Sequence, residues 1–344
     1  MGRNRKLKGF PQPYSDETFT SWLLRSAMNN RCTLTVDMVE CYVADSIRNG
    51  VDYDFSFGVG FKKFCLSAGL NYVYCKRFFS GQAEGMILSA LSRNSFCRQC
   101  LDGDVKFRST PYWRSSWCRL DTAYCSVHKT LLTSTREDYG LYRSWESFAY
   151  FSDFYYECRI SKNMYEFTTL NLLGFRVQGW LYNNRAIIEC APGLNRLIGF
   201  LLSSFLSLRT DERYCGLARV AFGTALQVPI VHKNYHYSLC MHYGAGTSTS
   251  THRRAALIVL GVVLGFYSER ELKLLKNASI FSFFNFPTTA LGAGREIMKL
   301  LSEPEKEWYA SQFISVAPVA GLDVSSRFEE FFSCMKVSRP LSKK

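Results

Sequence analysis

Two ligand pairs constrain this chain more than any other feature: Cys97-Arg98-Gln99-Cys100 and, 24 residues further on, Cys125-Ser126-Val127-His128. A gap of two residues lets a tight turn aim both side chains at one ion, and three thiolates with one imidazole make a closed tetrahedral shell. The spacing predicts a small structural zinc module with Cys97, Cys100, Cys125 and His128 as ligands. Cys118 lies between the pairs and is read as core, beside Trp113 and Trp117, with a reserve claim as a ligand. His232, His236 and His242 with Cys240 fit no zinc pattern.

The chemistry around these pairs argues against catalysis. A nucleobase deaminase needs His-x-Glu with Pro-Cys-x-x-Cys. The chain has no His-x-Glu, and Phe96 stands where the proline would be. It also lacks Gly-x-x-x-x-Gly-Lys-Ser/Thr, so a P-loop is excluded and any ATP-driven step falls to a partner. The expectation is a protein that is not an enzyme, with a zinc-dependent nucleic-acid enzyme as the least favoured alternative.

The chain has 13 cysteines, an odd number, and its basic start leads into Gly9, Phe10 and Pro11 without an apolar signal region. A cytoplasmic location with reduced thiols is therefore expected. The longest apolar run, Ala255 to Tyr267, covers 13 residues. A membrane span needs about 20, so this run reads as a buried helix and no membrane partner is expected. A net charge of +13 points to an acidic partner, nucleic acid first. Aromatic residues at 15% leave rings for packing against partners.

The fold class expected is mainly α. A basic tail (1–9) precedes an N-terminal helical, helix-turn-helix-like region (10–93), the zinc-binding module (94–133), an aromatic-rich mixed region (134–243) and a C-terminal helical region (252–338). In the first helix Ser15 or Asp16 should be the cap, Glu17 should sit in the first turn, and Phe19, Trp22 and Leu23 should face inward. A second helix is expected over 36–47, with Val36, Val39, Val43 and Ile47 on its apolar face. From Phe61 to Phe79, Phe61, Phe64, Cys65 and Ala68 share a face, Gly69 makes a turn, and a short helix follows through Val73, Arg77 and Phe78. Asn71, Lys76 and Arg77 then become candidates for groove or phosphate contact, together with Arg98 and Arg114. A plain helical hairpin with solvated cations is the competing reading. The segments 94–129 and 140–187 show little helical period and mixed signals respectively; 191–208, 252–276 and 289–302 read as helices. Gly58-Val59-Gly60 reads as a turn and Gly244 to Thr251 as a loop or linker.

Two stretches in order carry a resemblance. The first is Phe10-Pro11-Gln12-Pro13-Tyr14-Ser15-Asp16-Glu17-Thr18-Phe19-Thr20-Ser21-Trp22-Leu23-Leu24-Arg25. The second is Phe96-Cys97-Arg98-Gln99-Cys100-Leu101, then Tyr112-Trp113, Trp117 and Ala123-Tyr124-Cys125-Ser126-Val127-His128-Lys129-Thr130-Leu131-Leu132. Over roughly residues 10–133 the chain resembles the TniQ family, the target-selection proteins of bacterial cut-and-paste transposons. The resemblance implies a helix-turn-helix-like region, a zinc module held by Cys97, Cys100, Cys125 and His128, and a helical C-terminal part. It implies a non-enzymatic adaptor that recruits the transposon's AAA+ ATPase, and through it the transposase, to target DNA. The length resembles the adaptors that join an RNA-guided CRISPR Cascade effector with its guide RNA, which implies a homodimer. The alternative is a TnsD-like protein that binds a DNA attachment site directly. No second Cys-x-x-Cys set follows His128 at once, so a second zinc ribbon is not expected.

Overall fold

The computed structural model describes residues 9–29, 31–80, 86–135, 140–154, 164–210, 215–221, 230–231, 235–278, 286–311 and 325–334. The mainly helical architecture expected is found, with a buried cluster of three cysteines and one histidine in it. The basic tail 1–8, His232 and the terminal 339–344 lie outside the described residues. Two compact units form: residues 1–119 with 125–159, and residues 120–124 with 160–344. The helix-turn-helix-like and cysteine-bearing segments therefore share one unit.

In the first unit, α1 (Phe19–Ala27) and α2 (Val36–Arg48) precede a hairpin of α3 (Val59–Ser67) and α4 (Tyr72–Ser80). Phe19 is the hub of their common core, with ring centres of Phe61, Phe79 and Tyr42 at 4.8, 5.2 and 5.8 Å. The α3 face is the one expected: Phe61, Phe64, Cys65 and Ala68 are all buried. Gly69 makes the turn with a φ of +68°, in the left-handed region that glycine enters without a Cβ clash. The short helix expected through Val73, Arg77 and Phe78 is α4, which buries Cys75 and Phe79 and leaves Val73 and Arg77 outward.

Four more local expectations are corrected. Helix α1 begins after Thr18, so Ser15 and Asp16 do not cap it. The Asp16 carboxylate instead accepts from Ser116 Oγ at 2.7 Å, Ser116 N at 3.1 Å and Ser115 Oγ. Glu17 leaves the first turn to pair with Arg25 at 2.6 Å, a tertiary contact that outweighs the helix dipole. On α2, Val39 and Val43 are buried with Tyr42, but Ile47 is 52% exposed, because the apolar stripe drifts toward Tyr42 and Ser46. Gly58-Val59-Gly60 is no free turn: Gly58 precedes α3 and Val59 opens it.

A buried ionic node ties the unit together. Asp54 accepts from Thr20 N at 3.0 Å, Thr20 Oγ1 at 2.6 Å, Arg143 Nη2 at 2.6 Å and Arg93 Nη1 at 3.2 Å. Arg143 lies on α6 (Arg143–Phe154). It stacks over Trp113, while Arg93 stacks over Phe55 and also pairs with Asp52.

The second unit is built around α12 (Ser250–Val263), a helix buried on every side. Such a helix must be enclosed by neighbours rather than laid on a surface. Its neighbours are α7 (Met164–Asn183), α9 (Pro192–Phe205), α10 (Leu217–Val220), α14 (Ala290–Met298) and α16 (Ser325–Ser333). The remaining helices are α8 (Arg185–Cys190), α11 (Tyr237–Gly246), α13 (Glu269–Ala278) and α15 (Glu303–Ser311). The helix expected over 252–276 is two, since the chain leaves α12 through Gly265 at a φ of +71° before α13. The expected linker at 244–251 is a short turn between α11 and α12. Gly244 lies inside α11, where a Cβ would stand 2.2 Å from the carbonyl oxygen of Leu206. Residues 120–124 are held to α7 by Gln178, whose Oε1 accepts from Ala123 N at 2.8 Å and Tyr124 N at 2.9 Å and whose Nε2 donates to Tyr124 O at 2.9 Å. Among the described residues no helix is long and apolar enough to cross a membrane.

Candidate metal centre

The segment expected to have little helical period contains a full helix, α5 (Arg98–Arg108), which starts inside the first ligand pair. Cys97 is the extended residue just before it, and Cys100 sits in its first turn. Both sulfurs therefore lie where the positive end of the helix dipole favours thiolate. Strand β1 (Ser95–Phe96) delivers the chain to that point by pairing antiparallel with β2 (Thr133–Ser134), Phe96 opposite Thr133. The second pair comes from a knuckle. Cys125 N donates to Thr130 O at 2.9 Å and Lys129 N donates to Cys125 O at 2.9 Å. Lys129 closes the turn with a φ of +56°, and His128 N donates to Cys125 Sγ at 3.4 Å.

The four ligand atoms converge within 4.8 Å of one another. Nδ1 of His128 is 3.4 Å from Cys97 Sγ, 3.3 Å from Cys100 Sγ and 3.6 Å from Cys125 Sγ; Cys100 Sγ and Cys125 Sγ are 3.6 Å apart. A tetrahedral ion with metal–sulfur bonds of about 2.3 Å and a metal–nitrogen bond of about 2.0 Å separates sulfurs by about 3.8 Å and sulfur from nitrogen by about 3.5 Å. The residues fit a structural metal such as zinc, with every position of a tetrahedron taken by protein. Hydrogen bonds from Cys100 and Cys97, and from the backbone N–H of His128, hold the Cys125 thiol far below its ordinary range. The same crowding pushes the Cys100 thiol up.

The surroundings are dry and aromatic. Phe96, Leu101, Trp113, Trp117, Cys118 and Leu132 are buried with the cysteine ligands in one core. Cys118 is fully buried and donates to Arg114 O at 3.6 Å, as the core reading expected. Thr130, whose Oγ1 is 3.9 Å from Cys97 Sγ, has no signal in the sequence that marks it.

The residues expected to meet nucleic acid divide into two groups. Arg98 turns back along α5 to Asp102 at 2.7 Å, and its guanidinium lies over Phe148 at 5.8 Å. Arg114 grips both oxygens of Asp104 at 2.9 Å and stacks over Tyr112 and Trp117 at 4.1 and 4.8 Å. Arg114 is thus held against the module's own core, whereas Arg98 is half-buried beside a half-exposed Asp102. Asn71 caps α4, its Oδ1 accepting from Tyr74 N at 3.0 Å. Lys76 and Arg77 are exposed. Of the tempting histidines, His236 caps α11 by accepting from Ser238 N at 3.2 Å, and His242 is exposed. Among the described residues no second metal-binding group of three or more ligands forms. A cavity of about 930 Å³ lies between α2 and α3, lined by Asp37, Cys41, Asp45 and Lys63 among others; it contains none of the four ligands.

Compared with protein-family models, with curated proteins and with solved structures, the chain matches none.

Proposed function

We propose that this protein is a target-selection adaptor of the TniQ kind. It joins an RNA-guided CRISPR Cascade effector, with its guide RNA at target DNA, to a transposon AAA+ ATPase and so to the transposase. In this reading it works in the cytoplasm as a homodimer, carries one structural zinc, and catalyses nothing itself.

The observation that carries the reading is how the two parts of the motif series meet. The Pro-Tyr-Ser-Asp-Glu strap lies directly on the cysteine module. Thr18 N donates to Trp113 O at 2.9 Å, Ser115 N donates to Asp16 O at 2.8 Å, and the Tyr14 and Tyr112 rings are 4.6 Å apart. The residues that carry the resemblance therefore depend on one another physically, although about 100 positions separate them in sequence, beyond the reach of local propensity. A shell closed by four protein ligands suits a fold-holding metal and leaves no position for a reacting water, which supports an adaptor over a hydrolase.

Co-expression with a Cascade complex and an AAA+ ATPase tests the reading. Stable co-purification with the effector, and recruitment of the ATPase only when this protein is present, is the expected result. Tight binding to one DNA site without the effector would replace it with the direct-binding alternative, and failure to bind either partner would overturn both.

A further inference from the structure

Of the exposed cations of the first unit that stand outside its ion pairs, six lie on α3, α4 and α5: Lys62, Lys63, Lys76, Arg77, Lys106 and Arg108. All six are exposed, and among the described residues none forms an ion pair with a carboxylate. Lys62, Lys76, Lys106 and Arg108 each stand against an aromatic ring, and a chain of contacts strings these rings into a band. Lys62 of α3 and Lys76 of α4 both sit 5.9 Å from the ring centre of Tyr72. Two residues along α4 from Tyr72, on the other flank of the helix beyond the exposed Arg77, Tyr74 donates from its hydroxyl to Gln12 Oε1 at 3.2 Å, and the Gln12 carbonyl accepts from Arg25 at 2.9 Å. Arg25 and Arg108 then lie 4.3 and 4.2 Å from the ring centre of Tyr14. Beside Arg108 at the end of α5 are Lys106 and Phe107.

Phe107 decides what kind of partner suits this band. The dipole at the C-terminus of α5 accounts for Lys106 and Arg108 by itself. It gives no reason for a phenylalanine between them that is 77% exposed, with the Lys106 ammonium 5.2 Å from its ring centre. Stacking of cations on rings limits their rotamers before any partner arrives, so less entropy is lost when they meet phosphate. Rings alternating with cations match a strand whose bases are open for stacking, whereas a duplex keeps its base faces inside its own stack.

We propose that the band from the α3–α4 hairpin across the residue 12–14 strap to Phe107 binds a single-stranded stretch of nucleic acid. Lys62, Lys76, Lys106 and Arg108 take phosphates, and Phe107 takes a base face. This deepens the target-selection reading by giving the adaptor its own nucleic-acid surface, and it rests on that reading only for where such a strand would come from.

The test uses the purified full chain alone, without effector or ATPase, so its failure is distinct from failure of the adaptor reading. Fluorescence anisotropy is followed with a labelled single-stranded oligonucleotide of mixed sequence, as DNA and as RNA, and with the DNA duplex, across a salt series. Single strands are expected to bind more tightly than the duplex. The double variants Lys62→Gln/Lys76→Gln and Lys106→Gln/Arg108→Gln should each lower the slope of log affinity against log salt by about 1.4, at about 0.7 per phosphate contact. Phe107→Ala should weaken single-strand binding about tenfold and leave duplex binding unchanged. All five side chains are exposed, so melting temperature and metal content serve as controls for folding. Preference for the duplex, or wild-type affinity and salt slope in the folded variants, would overturn the proposal.

Discussion

Asp54 shows how much of the first unit hangs on one carboxylate. Burial works against its charge, but Arg143 and Arg93 with the Thr20 hydrogen bonds outweigh that and hold its pKa below the ordinary 3.8. Removing the charge leaves two buried guanidiniums without it, and breaking a buried pair in this way costs about 3–5 kcal/mol. Asp54→Asn should therefore lower stability by about that much in urea melts followed by the fluorescence of Trp22, Trp113 and Trp117. The pH dependence has a fixed sign. A carboxyl whose folded pKa is lowered contributes stability that is complete above its unfolded value and is lost as pH falls through the folded one. Wild-type stability should thus drop on acidification below about pH 4, and the Asn variant should drop less over the same window. Equal acid sensitivity in the two proteins would count against the node.

Helix α5 and the knuckle at Cys125 to Thr130 are elements that hydrophobic burial alone does not account for. The helix has 11 residues and buries only Cys100, Leu101 and Asp104. An isolated helix of that length is marginal in water. Apparent zinc binding energies of about 10–16 kcal/mol in small modules exceed what such packing supplies, so a metal held by the four ligands would carry the local fold. Cys100→Ser should release the metal, abolish the module's folding and lower soluble yield before any specific defect is seen. Cys118→Ala, equally buried but outside the four ligands, should keep one metal per chain and lose about 1 kcal/mol at most, by the small size of the cavity it leaves. Metal content by mass spectrometry and thermal melts separate the two variants. Loss of metal in Cys118→Ala would change the ligand assignment.

Across the molecule, the metal is expected to act within the first unit. The second has its own enclosed helix, α12, and its own buried polar contacts, such as Arg219 donating to Leu206 O and Gly244 O, each at 2.6 Å. Chelation followed by limited proteolysis should open cleavage sites within 9–154 and leave the helices from α7 to α15 protected. Simultaneous loss of protection in both parts would show one cooperative fold instead of two. The +13 charge has a divided fate as well. Arg93, Arg119, Arg143, Arg219, Arg253 and Arg254 are buried, so the net charge overstates what an acidic partner would meet at the surface.

Local spacing made part of this protein legible in advance. The two ligand pairs could be read because a two-residue gap is a property of a short turn, whatever surrounds it. The α3 face from Phe61 to Ala68 and the buried run in α12 could be read because periodicity is equally local. Residue type alone could not show that Asp102 and Asp104 take the guanidiniums of Arg98 and Arg114 once α5 forms. It also left Glu17 in a helix turn that begins two residues later, and it hid the Asp54 node, whose partners come from positions 20, 93 and 143. Those outcomes depend on contacts across tens of residues, and only the packed chain brings the charges close enough to choose between a partner inside the protein and one outside it.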